Sequence, residues 1–135
     1  VSGPEKFSPS LFAKNPVGIV MGDTVYARAL DIVIPGPGLR FNCSIEEGTL
    51  VHLLKRGDII ANARKSLEDA RQYLPNIQGA ILFNCVLRYL ELQELKKTAE
   101  FNQVFDGLNF TGFNTYGEEY FTHHNQTLTA VFFGG

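Results

Sequence analysis

Between Gly112 and Thr127 the chain reads G-F-N-T-Y-G-E-E-Y-F-T-H-H-N-Q-T. Two carboxylates (Glu118, Glu119), two imidazoles (His123, His124) and three amides (Asn114, Asn125, Gln126) stand there among aromatic rings. Groups of these kinds move protons, orient the polar edges of a ligand or ligate a metal. The flanks, Phe110-Thr111-Gly112-Phe113 and Leu128-Thr129-Ala130-Val131-Phe132, are rich in β-branched and aromatic residues and predict the two strands of a hairpin with this segment as its mouth. A long loop in a compact domain is usually functional or disordered. Tyr116, Tyr120 and Phe121, costly to leave in water, argue for order. The plain alternative is a loop folded onto its own aromatics with its polar groups solvated.

A second chemical stretch is Asn84-Cys85-Val86-Leu87-Arg88, where an apolar strand turns into a helix. In open sheets ligands collect at the carboxyl ends of strands, and helix N-termini offer free N–H groups to anions. Arg88 adds a planar, permanently charged fork suited to a carboxylate. Glu118 and Asn125, facing the same cavity, would receive an ammonium and orient polar edges. Arg88, Tyr116, Glu118 and Asn125 therefore form a candidate site for an amino-acid-like or small carboxylate ligand, with Arg28 as a second anchor and Cys85 and His124 beside it. Otherwise Arg88 and Glu118 pair with each other and hold two loops together.

A catalytic reading takes Cys85 as nucleophile, activated at the helix start, with His123, His124, Glu118 and Glu119 as base and orienter. A cysteine at the end of an apolar strand is more often a small buried filler, so no catalytic residue and no enzyme is expected. His52, His123, His124, Cys43 and Cys85 show no C-x-x-C or H-x-x-x-H spacing that would close a zinc site, and no metal site is expected.

These residues must be positioned by one domain and one core, which 135 residues suffice to build. Hydrophobic content of 44% with 19% charged residues excludes a disordered or collagen-like chain. A net charge of −2 with scattered Lys and Arg excludes a nucleic-acid footprint. No apolar run approaches the roughly eighteen residues of a membrane span, and the N-terminus lacks the basic and apolar regions of a signal peptide. The chain starts Val1-Ser2-Gly3 without Met, as a piece excised from a longer protein would. Two cysteines suit a reducing compartment, so a cytoplasmic location is expected. The sequons at Asn42, Asn109 and Asn125 are then coincidental.

Residues 1–14 read as an entry segment or linker, and 15–135 as the domain proper. Val17–Val20 and Val25–Ala29 flank Gly22-Asp23 as a hairpin. Asp31–Ile34 is a strand ended by Pro35-Gly36-Pro37-Gly38. Leu39–Cys43 alternates as a half-buried strand, and Thr49–Leu54 is the next. Asp58 is the expected N-cap of a helix whose Ile59, Ala63, Leu67, Ala70 and Leu74 share a face, stopped by Pro75. Gly79–Phe83 reads as a central strand covered on both faces, with a right-handed crossover if it runs parallel to Thr49–Leu54. A second helix runs to about Phe105. The expected class is α+β, with a mixed, largely antiparallel sheet of about six or seven strands and two main helices.

Three segments in this order resemble the C-terminal domain of the FIST family of intracellular signal-transduction sensors. They are Gly79-Ala80-Ile81-Leu82-Phe83-Asn84-Cys85-Val86-Leu87-Arg88, Gly112-Phe113-Asn114-Thr115-Tyr116-Gly117-Glu118 and His124-Asn125-Gln126-Thr127-Leu128. The resemblance extends weakly to Tyr26-Ala27-Arg28 and Glu47-Gly48-Thr49, and covers residues 15–135. Tyr89 departs from it, since a small residue is expected after the arginine. The resemblance implies a domain that binds a small molecule, partnered by an N-terminal FIST domain of the same polypeptide and by a downstream signalling domain or protein. Charge and hydropathy add the expectation of no nucleic-acid or membrane partner, and the reading of Cys85 that of a non-catalytic role. The resemblance also admits a haem-binding sensor. A further alternative is a half that only docks its N-terminal partner through exposed parts of Leu87, Leu90, Phe101 and Phe105.

Overall fold

The computed structural model describes residues 15–36 and 38–135, so the expected entry segment lies outside the described residues. In chain order these form β1 (Val17–Met21), β2 (Thr24–Arg28), β3 (Leu30–Ile34), β4 (Gly38–Phe41) and β5 (His52–Leu53). Helix α1 (Ile59–Tyr73) follows, then β6 (Ile77–Cys85), α2 (Val86–Glu94) and α3 (Thr98–Gln103). The last four elements are β7 (Asn109–Thr115), β8 (Glu118–Tyr120), β9 (Thr122–His124) and β10 (Leu128–Gly134). The α+β class holds, but the single large sheet gives way to separate sheets ordered β2-β1-β5, β10-β6-β7, β3-β4 and β8-β9.

The chain divides into two units, Val1–Arg56 with Glu119–Gln126 and Gly57–Glu118 with Thr127–Gly135. In the first, β1 and β2 form the expected hairpin, Met21 pairing with Thr24 across Gly22 at φ +59°. Strand β5 pairs antiparallel with β1, so only two residues of the expected Thr49–Leu54 strand are used and it is no partner of β6. Strands β3 and β4 pair from Leu30–Phe41 to Ile34–Gly38, and Arg40 clasps Asp31 across them, Nε to Oδ2 at 2.7 Å. Residues Tyr26–Ala29 are buried.

In the second unit Asp58 caps α1, its Oδ1 accepting from the backbone N–H of Ile60 and Ala61 at 2.8 Å each. Ile59, Ile60, Ala63 and Leu67 of that helix are buried against β6 and against Leu92, Phe101 and Phe105. Strand β6 is central, as expected, but its parallel neighbour is β7 and its antiparallel neighbour β10. The crossover between parallel strands therefore runs through α2 and α3. Leu128–Phe132 and Phe110–Phe113 are not a hairpin, since β6 lies between them.

Burial along β6 alternates from Ala80 onward, so one face meets the helices and the other is only partly covered. The long second helix is in fact two, because the chain turns at Lys96, φ +57°. Lys97 N–H reaches Leu92 O at 2.8 Å and Lys96 N–H reaches Gln93 O at 3.0 Å, the paired bonds of a Schellman ending. That turn folds α3 back onto the core. Phe101 and Phe105 are buried at 7% and 2% exposure and offer no docking surface, whereas Leu90 is exposed and Leu87 half-buried, so the expected docking face is reduced to α2.

Candidate ligand pocket

The seven candidate residues fall into two groups, one in each unit. In the first unit Arg28, His124 and Asn125 come together around the end of β2. Asn125 N–H donates to Ala27 O at 3.1 Å, and its Oδ1 accepts from Ala29 N–H at 3.0 Å and from the Cys43 thiol at 3.1 Å. Its Nδ2 lies 3.1 Å from His123 Nε2. With 1% of its surface exposed, this amide is a pin that holds the returning chain to β2. The His124 ring stacks on Tyr26 at 4.3 Å between centroids. Arg28 is buried, its Nη1 donating to His123 O at 2.6 Å, while Nε has no hydrogen-bond partner among the described residues. Burial raises the Cys43 thiol above its ordinary value, and the Arg28 charge partly offsets this.

In the second unit Cys85 is 1% exposed at the start of α2, its N–H bonded to Thr127 O at 3.0 Å. Glu118 is also buried. Its carboxylate accepts from the hydroxyls of Thr115 and, at 3.1 Å, Thr127, so it ties the two chain segments that leave and re-enter this unit. Arg88 does not pair with Glu118. Its Nε donates to Asn84 Oδ1 at 3.1 Å. Burial pushes the Arg88 guanidinium below its ordinary value, against the opposing pull of Glu91, Cys85 and Glu118.

Tyr116 is 89% exposed, with Tyr120 at 57% and Phe121 at 86%. The expected cost of wetting these rings did not force them inward. The segment is ordered by the β8-β9 pairing, the Asn125 pin and the Glu118 clasp, so its rings are not needed for its fold.

One residue that the sequence reading passed over is central here. Asn84 donates through Nδ2 to Asn114 Oδ1 at 3.1 Å and accepts from Arg88, giving a chain of polar groups across β7, β6 and α2. Asn84 and Asn114 line a cavity of about 230 Å3, whose walls also include Leu92, Tyr89, Phe101 and Phe110 and a third amide, Asn102. The signal was present: an amide closing an otherwise apolar strand must find partners when buried.

A family model described as the FIST C domain matches residues 2–120. The chain belongs to that family. No curated protein and no solved structure matches it. FIST C domains are generally sensory domains of signal transduction. Within this FIST C domain the Gly112–Glu118 signature is β7 and the approach to β8, and Gly79–Arg88 is β6 with the first turn of α2. The matched region ends before His124 and Asn125. No helix among the described residues is long and apolar enough to cross a membrane.

Proposed function

We propose that this FIST C domain is a non-catalytic sensor of a small, amino-acid-like carboxylate, bound in the cavity beside β7. The observation that carries this reading is the Asn114–Asn84–Arg88 chain, which brings amides to a cavity whose other walls are largely apolar. Such a lining takes an apolar side chain on the phenyl rings and a polar head on the amides. Arg88 stands one hydrogen bond behind Asn84 and is a cation whose burial an anion would relieve. The burial of Cys85 supports a non-catalytic role. An N-terminal FIST domain and a downstream signalling partner fit the family's sensory role.

A thermal-shift screen against the common amino acids and small carboxylates tests this. A ligand at one hundred times its Kd adds about 2.7 kcal/mol to the native state. Arg88→Ala and Asn84→Ala are expected to abolish the shift, and a screen without hits on the cooperatively folding chain would refute the reading. Cys85 in the native chain is expected to resist thiol alkylation, and rapid labelling would reopen the catalytic reading.

A further inference from the structure

Strand β7 has β6 on one side and, among the described residues, no strand on the other. Six of its seven residues are exposed. Its sequence, N-F-T-G-F-N-T, contains no charge and no proline, and it pairs with β6 without a bulge from Asn109 to Thr115. Natural edge strands are blunted by charges, proline, bulges, shortness or a cover. Among the described residues β7 has none of these devices. The opposite edge, β10, is mostly half-buried and breaks register at Phe133/Gly134. A bare edge presents backbone N–H and C=O groups at strand spacing, and the full complement of such a row is another extended backbone.

We infer that β7 docks against β7 of a second copy of this chain, antiparallel about a two-fold axis at Gly112. In this register Phe113 stands opposite Thr111 of the partner subunit, and Phe110 opposite Asn114 of the partner subunit. Aromatic and β-branched side chains make favourable cross-strand pairs. No ionised group meets another, because the strand has none, so the edge is neutral against neutral and complementary to itself. The axis falls on the one β7 residue without a side chain, where the two backbones approach freely. A two-fold contact uses the same edge on both copies and closes on itself, giving six continuous strands. Phe110, Gly112, Phe113 and Asn114 also border the cavity, so the second strand runs beside it.

Light scattering of the 135-residue chain across a dilution series tests this. The unmodified chain is expected to dimerise at high concentration. The double variant Thr111→Lys/Phe113→Lys places like charges opposite each other and is expected to be monomeric. The same holds for Thr111→Glu/Phe113→Glu, and both positions are exposed, so the fold is expected to survive. An equimolar mixture of the two variants restores the dimer in this register. A monomeric unmodified chain, charged variants that still dimerise, or a mixture that fails to pair would each overturn the proposal.

Discussion

Glu118 and Asn125 stand out in the sequence as polar residues in an aromatic loop, and both are buried, at 2% and 1% exposure. Their chemistry is spent on the chain itself. Asn125 satisfies Ala29 N–H, accepts from a thiol and is anchored through its own N–H, which explains how a short polar segment holds a fixed path. Asn125→Ala leaves the Ala29 N–H buried and unpaired and is expected to destabilise the fold by about 1–3 kcal/mol, read from denaturant midpoints. Residue types alone cannot distinguish such a pin from a ligand contact, because both require a buried amide with convergent partners. Arg88 shows the same ambiguity from the other side: its cationic character was legible, but its hydrogen-bond partner Asn84, four residues earlier in the same stretch, became part of the site only once the strand was seen to run on to Cys85.

At the scale of elements, strands and caps with strong local chemistry were legible. The β1-β2 turn, the proline-marked end of β3 and the Asp58 cap all follow from residues adjacent in sequence. Two backbone donors, Ala61 first and then Ile60, hold the Asp58 carboxyl below its ordinary value, so this stabilisation is present above the unfolded-state pKa and is lost as pH falls through the folded one. The Tm difference between the native chain and Asp58→Ala is therefore expected to be full at neutral pH and to narrow below about pH 4.

The end of α2 was not legible, because Lys96 occupies the left-handed position that normally announces itself with glycine. Lys96→Gly is expected to stabilise by about 1 kcal/mol, measured by thermal unfolding, since glycine adopts this φ without a steric penalty. Strand partnership was likewise beyond local reading. Phe110–Phe113 and Leu128–Phe132 have the composition of a hairpin, and only the long-range choice of β6 as common neighbour separates them. Gly112 belongs to that choice: a Cβ there would stand 2.2 Å from Leu82 O, so β6 and β7 meet closely where no side chain intervenes.

Across the whole molecule, the order of predicted strands and helices indicates the α+β class, whereas the division into two units is invisible to it. That division depends on one excursion, in which the chain leaves the second unit after Glu118, spends Glu119–Gln126 in the first, and returns at Thr127. The Ala29–Asn125 bond closes a separation of 96 residues. A variant with Asn125→Ala keeps every strand and loses only the pin, so trypsin is expected to cleave after Arg28 faster than in the native chain, where Arg28 is 6% exposed. Unchanged protection of Arg28 in that variant would show that the pin is dispensable.

The same excursion sets a schedule for biosynthesis. The first unit lacks its last strand and its amide pin until residue 126 has been made, so it waits half-built while residues 57–118 are synthesised. β6 likewise waits for β10. Closing such distant contacts is slow relative to local turns, and the interval before they close is when a chaperone would find the nascent chain with its strand edges uncovered.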